Sequence, residues 1–190
     1  MSGVLASLIG SYSASANAYD SIATTTLGSN TATITFSSIP ATYKHLQVRI
    51  WGYNNSGSDR TLHLQLNSDA GSNYRNHWLA GTGAAISGGY DSAATTGILP
   101  YNASSSQTGF NGDSLKASVV IMDILDYTNT GKYTTVRTLG GWDGNGSGQI
   151  YLSSGLWMNT AAVTNLYFQI PYSTLFSTGT KIALYGIKGQ

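Results

Sequence analysis

The chain contains no cysteine and no glutamate, and charged side chains make up only 9% of its 190 residues. Without cysteine, neither a disulfide framework nor a thiolate metal site can form. With a net charge of +1, the chain offers no strongly basic surface for nucleic acid. The composition therefore indicates either a surface that contacts other proteins or a neutral secreted domain, and it leaves both open.

All acidic residues are Asp, and Gly, Ser, Thr, Asn and Tyr are abundant, which disfavours helices and favours strands and turns. Apolar and polar residues alternate in several short segments, for example at Leu46, Val48 and Ile50. We expect an all-β fold of nine or ten strands, an antiparallel β-sandwich with jelly-roll-like connections, forming a single domain over residues 19–190. The predicted strands are 22–27, 31–36, 46–50, 62–66, 117–127, 133–139, 150–156, 162–170 and 181–187, with a short one at 96–101.

Two of these predictions are specific enough to test individually. Segments 22–27 and 31–36 flank a turn at residues 28–30, which predicts a β-hairpin. Segment 117–127 contains the apolar run 119–122, and a strand with one exposed face would alternate, so this run predicts a strand buried on both faces. A buried helix is the alternative, which the β-branched residues disfavour. Ile121→Ala is then expected to cost about 2–5 kcal/mol through the cavity it leaves.

One glycine-rich segment has the spacing of a calcium loop. Asp143, Asn145 and Ser147 place oxygen ligands at alternate positions, as in the first half of an EF-hand. Position twelve, however, is Ser154 rather than a bidentate carboxylate, and flanking helices are not expected. A hairpin turn is therefore the favoured interpretation, because Gly and Asn tolerate positive φ.

The histidines and aspartates do not form a recognisable catalytic pattern. His45, His63 and His77 are too scattered for a spaced ligand motif. His45 and His63 could share one outward face if their strands were adjacent and in register, but two imidazoles without a carboxylate make a poor metal site. Asp123 and Asp126 are expected on opposite sides of a strand. We expect Asp123 to accept hydrogen bonds from an arginine, either Arg49 or Arg137, and we expect neither an enzyme nor a cofactor.

Two segments are candidates for contact with other protein chains. Residues 1–18 are expected to form an extended N-terminal arm that docks on its own subunit or on a neighbour. Residues 81–114 lose the strand pattern and are expected to contain a long contact loop. Large apolar and aromatic side chains anchor protein interfaces. The candidate partner-contact residues are Val4, Leu5, Leu8, Ile9, Trp51, Trp78, Ile86, Tyr90, Ile98 and Phe110.

Several sequence segments resemble a family of tailed-bacteriophage virion structural proteins. They are YDSIAT at 19–24, FSSIPATYKHLQVR at 36–49, NSDAGSNY at 67–74, ILDY at 124–127, SGLW at 154–157 and ALYGIKG at 183–189. Residues 1–18 and 81–114 show no clear match. The resemblance implies a small β-sandwich protein carried on the phage particle. It implies a role in capsid decoration, in a head fibre or in a part associated with the tail.

The resemblance and the composition together lead to three functional expectations. The first is a non-enzymatic capsid decoration (cement) protein on the virion surface, a homotrimer that bridges major capsid protein subunits without contacting nucleic acid or membrane. The second is a tail or fibre module that binds host surface glycan through Trp51, Trp78 or Tyr90. The third is a secreted lectin-like domain.

Overall fold

The computed structural model describes residues 18–100 and 109–189, and these residues form eleven β-strands and no helix. The strands are β1 (Tyr19–Thr26), β2 (Thr33–Phe36), β3 (His45–Gly52), β4 (His63–Leu66), β5 (Tyr74–Gly81), β6 (Ile86–Tyr90), β7 (Ser118–Leu125), β8 (Thr134–Asp143), β9 (Gly148–Trp157), β10 (Leu166–Gln169) and β11 (Lys181–Ile187).

The strands form two antiparallel sheets. The larger sheet has eight strands in the order β1-β11-β3-β7-β8-β9-β5-β6, and the smaller has three in the order β2-β10-β4. The predicted all-β, antiparallel fold class is therefore confirmed. The jelly-roll connectivity stays a prediction, and the predicted arm lies almost entirely outside the described residues.

The two sheets enclose one continuous apolar core. Val48 and Met122 of the larger sheet and Leu64 and Phe168 of the smaller sheet are all fully buried in it. The Phe168 ring meets Phe36 edge-on, with 6.4 Å between the ring centroids. Because the alternate residues of each strand point to opposite faces, the same strands also present a second, outward face.

The predicted hairpin of the first two strands is wrong, because β1 and β2 belong to different sheets. Strand β1 pairs with β11, and β2 pairs with β10. In the smaller sheet, Ile34 and Phe36 lie opposite Phe168 and Leu166, so both apolar side chains of β2 contribute to the core. The turn signal marked where the chain changes direction, but it carried no information about which sheet the chain enters next.

The prediction that the central strand is buried on both faces is also wrong. Strand β7 lies between β3 and β8, and its residues Val120, Met122 and Ile124 are fully buried against the core. On the other face Val119 is 51% exposed and Ile121 is only partly buried. The unbroken apolar run thus reflects an apolar outer face that no other described strand covers.

Within β7, this arrangement moves the larger expected stability effect from Ile121 to Ile124. Ile124→Ala is expected to lower the free energy of unfolding by about 2–5 kcal/mol, because it leaves a cavity in a closed core. Ile121→Ala is expected to cost only about 1 kcal/mol, because its side chain is already partly in water. Urea denaturation of both variants at the same dilute protein concentration measures the difference, and equal losses would contradict it.

Two strands lie where the sequence predicted none. Strand β5 pairs with β9 and β6, and β6 forms one edge of the larger sheet within the predicted contact loop. Strand β6 contains Gly88 and Gly89, which obscure its pattern. The Trp78 ring lies where a side chain at Gly89 would be, 2.5 Å from an ideal Cβ, so glycine is needed at that position.

Two of the predicted contact residues are core residues instead. The backbone of Ile98 exchanges two hydrogen bonds with Leu64, at 2.8 and 3.0 Å, and its side chain is fully buried. Phe110 is also fully buried and meets Phe176 edge-on at 5.8 Å between ring centroids. Isolated β-bridges outside the main strands place both side chains in the core. Neither residue therefore has the exposure that a contact residue needs.

Candidate protein-contact face

The outer face of the eight-stranded sheet carries a continuous group of exposed apolar side chains. The exposed fractions range from 46% for Trp51 to 83% for Ile86, and only Ile121 is partly buried. Soluble monomers rarely expose an apolar patch of more than a few hundred Å² without a function for it. We name this group the apolar face, and it consists of Trp51, Leu79, Ile86, Val119, Ile121, Leu139, Ile150 and Leu152.

Strand pairing sets these side chains in two rows across six neighbouring strands. The first row is Trp51, Val119, Gly141, Ile150, Gly81 and Ile86. The second row is Arg49, Ile121, Leu139, Leu152, Leu79 and Gly88. With strands about 4.8 Å apart and about 3.4 Å per residue, the two rows cover roughly 400 Å² in projection.

A third row on the same face is polar, and it borders the apolar face. We name it the polar row, and it consists of Gln47, Asp123, Arg137, Ser154, His77 and Tyr90. Gln47 Nε2 donates to Asp123 Oδ1 at 2.8 Å, and Arg137 donates to Ser154 Oγ. The rings of His77 and Tyr90 are stacked at 5.9 Å. Adjacent strands thus hold the polar row in a defined arrangement.

The aspartates have separate partners, and Asp123 is bonded to Gln47 rather than to the predicted arginine. Arg49 is one step removed, because its Nε donates to Gln47 Oε1 at 2.8 Å. Asp126 instead accepts a hydrogen bond from Lys44 Nζ at 2.6 Å. That bond, supported by a hydrogen bond from Asn129, holds the pKa of the Asp126 carboxyl well below its usual range.

The histidines do not meet, so the hypothesis of a shared face for His45 and His63 is wrong. His45 lies in the larger sheet, where its Nδ1 accepts from the Asp126 amide at 2.9 Å, and His63 lies in the smaller sheet. Burial lowers the pKa of His63 to about 4. Over residues 18–100 and 109–189, no group of three or more His, Asp or Glu side chains is placed to hold a metal ion.

The glycine-rich segment after β8 is a hairpin turn, as predicted. Strands β8 and β9 pair up to Asp143 opposite Gly148. The Asn145 amide donates to Asp143 Oδ1 at 3.0 Å, and the Gly144 amide donates to the Ser147 carbonyl at 2.7 Å. Asn145 has a φ of 55°, which its side chain tolerates. Asp143 therefore acts as a turn cap.

The apolar face continues past the ends of the strands into an open groove. The groove has a volume of about 1020 Å³, and Trp51, Val119 and Ile150 form part of its floor. Leu115 and Lys116 line its side, and Leu115 is 91% exposed. The groove therefore enlarges the apolar surface available to a partner.

The predicted contact residues fall into four groups. Trp51, Ile86 and Tyr90 lie on the outer face and are exposed, and their contact role stays a prediction. Trp78 is partly buried against Tyr151 on the opposite face of the same sheet. Ile98 and Phe110 belong to the core, as described above. Four residues lie outside the described residues: Val4, Leu5, Leu8 and Ile9.

No protein-family model and no curated protein matches this chain. In the part of the chain that the structure describes, no helix has the length and apolarity needed to cross a bilayer. The function therefore has to be inferred from the apolar face and the polar row.

Six members of the apolar face were missed by sequence reasoning, among them Ile121, which was expected in the core. A signal for them exists, because β7 and β9 carry apolar residues on both faces, whereas a strand with one solvated face should alternate. The excess in β7 predicts burial on both faces, which the open outer face of the strand contradicts. Where the smaller sheet has only three strands, such an excess also fits an apolar outer face that the smaller sheet does not cover. The missed residues are Leu79, Val119, Ile121, Leu139, Ile150 and Leu152.

Proposed function

We propose that this chain is a non-enzymatic structural protein of a phage virion, a capsid decoration protein that bridges and stabilises major capsid protein subunits. The observation that carries the proposal is the apolar face, because a decoration protein acts through contact with neighbouring chains. The resemblance to tailed-bacteriophage virion proteins supports a place on the phage particle, and we assign the chain to the outer surface of the capsid.

The charge of the chain supports an assembly role. With a net charge of +1, packing many copies at close range on one lattice costs little electrostatic repulsion. Weak contacts repeated over a symmetric lattice add up to firm attachment, so individual contacts to the capsid need not be tight. Self-association would increase this effect, either as the homotrimer expected from the sequence or as the dimer proposed below from the apolar face.

The proposal is tested by adding the purified chain to heads of the encoding phage that lack it. We expect the chain to sediment with the heads and to raise the temperature at which they rupture, because it ties neighbouring subunits together. Binding without a change in rupture temperature would support attachment to the capsid but contradict the stabilising role. If the chain neither binds nor stabilises the heads, the proposal fails.

A second candidate is a host-recognition module that binds glycan. Two exposed aromatic residues favour it, Trp51 at the groove and Tyr90, which is 68% exposed and stacked on His77. Aromatic faces of this kind can stack on sugar rings. Glycan-array binding that disappears in Trp51→Ala, with immunogold label confined to the phage tail, would favour this candidate over capsid decoration.

A further inference from the structure

We propose that the apolar face is the interface between two copies of this chain, packed face to face about a two-fold axis that runs parallel to the strands between β8 and β9. The inference rests on the proposed function only in treating the apolar face as an assembly surface. It requires no capsid, so it can be tested on the purified chain alone.

The arrangement of the rows selects this axis. A two-fold rotation about it exchanges β8 with β9, β7 with β5 and β3 with β6, and keeps every row at its own height along the strands. Apolar rows then meet apolar rows, and the polar row meets the polar row. A two-fold axis across the strands would reverse the order of the rows. Between the second row and the polar row it would set Leu139 and Leu152 against Arg137 and Ser154, and between the two apolar rows it would move the polar row away from its counterpart on the second copy.

The glycines of the first row make this surface complementary to itself. Rotation places Ile150 of one copy over Gly141 of the other, and Val119 over Gly81, so these two large side chains meet positions without one, while Trp51 meets Ile86 at the two ends of the row. In the second row, Leu139 meets Leu152. A partner of unrelated shape would not match this alternation, whereas a second copy matches it on both sides of the axis.

The polar row is complementary to itself in charge. The same rotation places Asp123 opposite His77 of the second copy, and Arg137 opposite Ser154, so no like charges are opposed. The net charge of +1 on each copy adds little repulsion. A polar row beside an apolar centre is also the usual organisation of a protein interface.

The available area is sufficient for a stable dimer. The six strands that overlap across this axis, about 4.8 Å apart and about eight residues long, give a face of roughly 800 Å² in projection. A standard interface buries about 800 Å² on each partner. Two sheets packed at about 10 Å with aligned strands form an ordinary sandwich geometry. The apolar face is therefore large enough to form the centre of such an interface.

The first test is the mass of the purified full chain in solution, by light scattering and by sedimentation at several concentrations. We expect a mass of two chains. Leu139→Asp, a change at an already exposed position in the centre of the face, is expected to weaken the dimer at least about a hundredfold, because both copies carry it. Tyr172→Asp is the matched control, since Tyr172 is 88% exposed and lies outside the apolar face.

The second test examines the predicted fit across the axis. A Cβ at Gly81 would have its nearest neighbours at 3.9 Å, so Gly81→Val is compatible with the fold of a single copy. In the dimer it fills the space that Val119 of the second copy occupies, and we expect about thirtyfold weaker association. Adding Val119→Ala removes the obstructing side chain, and we expect at least tenfold recovery. Circular dichroism checks that each variant is folded.

Several outcomes would overturn the proposal. They are a mass of one chain at tens of micromolar, a trimer, a dimer that survives Leu139→Asp, and a double variant that associates no more tightly than Gly81→Val.

A monomer whose head binding is lost in Leu139→Asp would assign the face to the capsid protein and keep the proposed function. A monomer that dimerises only after deletion of residues 1–17 would assign the face to that segment. A dimer that binds no heads would keep this inference and reject the proposed function.

Discussion

Trp157→Ala is expected to lower the free energy of unfolding by about 3–5 kcal/mol, the largest effect of any single truncation that we expect in this chain. Trp157 is 1% exposed and stacks on Tyr74, with 6.4 Å between the ring centroids. Its Nε1 donates to Asp69 Oδ2 at 2.8 Å. The substitution therefore leaves a large cavity and also removes a hydrogen bond to a carboxylate.

Asp69 connects this indole to the loop that follows β4. Burial alone would raise the pKa of Asp69, but the hydrogen bonds from Trp157 and Asn73 outweigh it and hold the pKa below its usual value. The Tyr74 hydroxyl donates to the Asp69 carbonyl at 3.0 Å, and the Gly71 amide donates to Asp69 Oδ1 at 2.9 Å. Loss of the indole therefore weakens a loop as well as the core.

Urea denaturation measures the Trp157 effect, with Trp157→Phe as the matched control. The phenylalanine keeps one six-membered ring in the core but loses the Nε1 donor and the remaining indole atoms, so a smaller loss of about 1–3 kcal/mol is expected. If Trp157→Ala costs less than Trp157→Phe, or less than about 1 kcal/mol, the indole is not the core anchor that its burial indicates.

Acidification from pH 6.5 to pH 4 is expected to remove roughly 3 kcal/mol of stability through His63 alone. Burial lowers the pKa of His63 to about 4 in the folded chain, below its ordinary value of 6.5. Its Nδ1 is buried without a hydrogen-bond partner among the described residues. Between these two pH values the unfolded chain therefore binds a proton that the folded chain does not, so stability is complete above pH 6.5 and falls as the pH decreases.

The free energy of unfolding measured across this pH range tests the prediction. His63→Gln should flatten the dependence, whereas His77→Gln should retain it, because His77 lies exposed on the outer face. Asp59 acts in the opposite direction near the lower end of the range, since burial raises its pKa. An unchanged slope in His63→Gln would show that the imidazole is not the titrating group.

The sequence was informative where strand alternation and turn chemistry are local. The segment at 46–50 alternates because β3 has one face in the core, and Lys181–Ile187 was predicted with the bounds that the structure has. The hairpin between β8 and β9 followed from the conformational needs of Asn145 and the glycines around it. Each of these features depends on residues within a few positions of one another.

The sequence was misleading where an apolar residue could have had more than one partner. Ile98 and Phe110 stood alone among small residues, which is typical of a surface loop, yet bridges to β4 and to Arg60 turn both inward. Trp51 was placed correctly on the outer side of β3, because its polar neighbours at alternate positions defined that side. An alternating pattern shows which face of the sheet a side chain lies on. An apolar residue without alternating neighbours gives no such information.

The amino-acid sequence by itself determined the all-β class, most of the strands and the side of each alternating strand, because these depend on backbone preference and a period of two. Only the tertiary structure decided how the strands divide into sheets of eight and three, and that the apolar run of β7 has one covered face and one open face. Those features depend on pairing between distant segments, such as Leu139 with Leu152 and Val119 with Gly141, whose competing registers have similar local energies. The apolar face exists only once those pairings bring its side chains together.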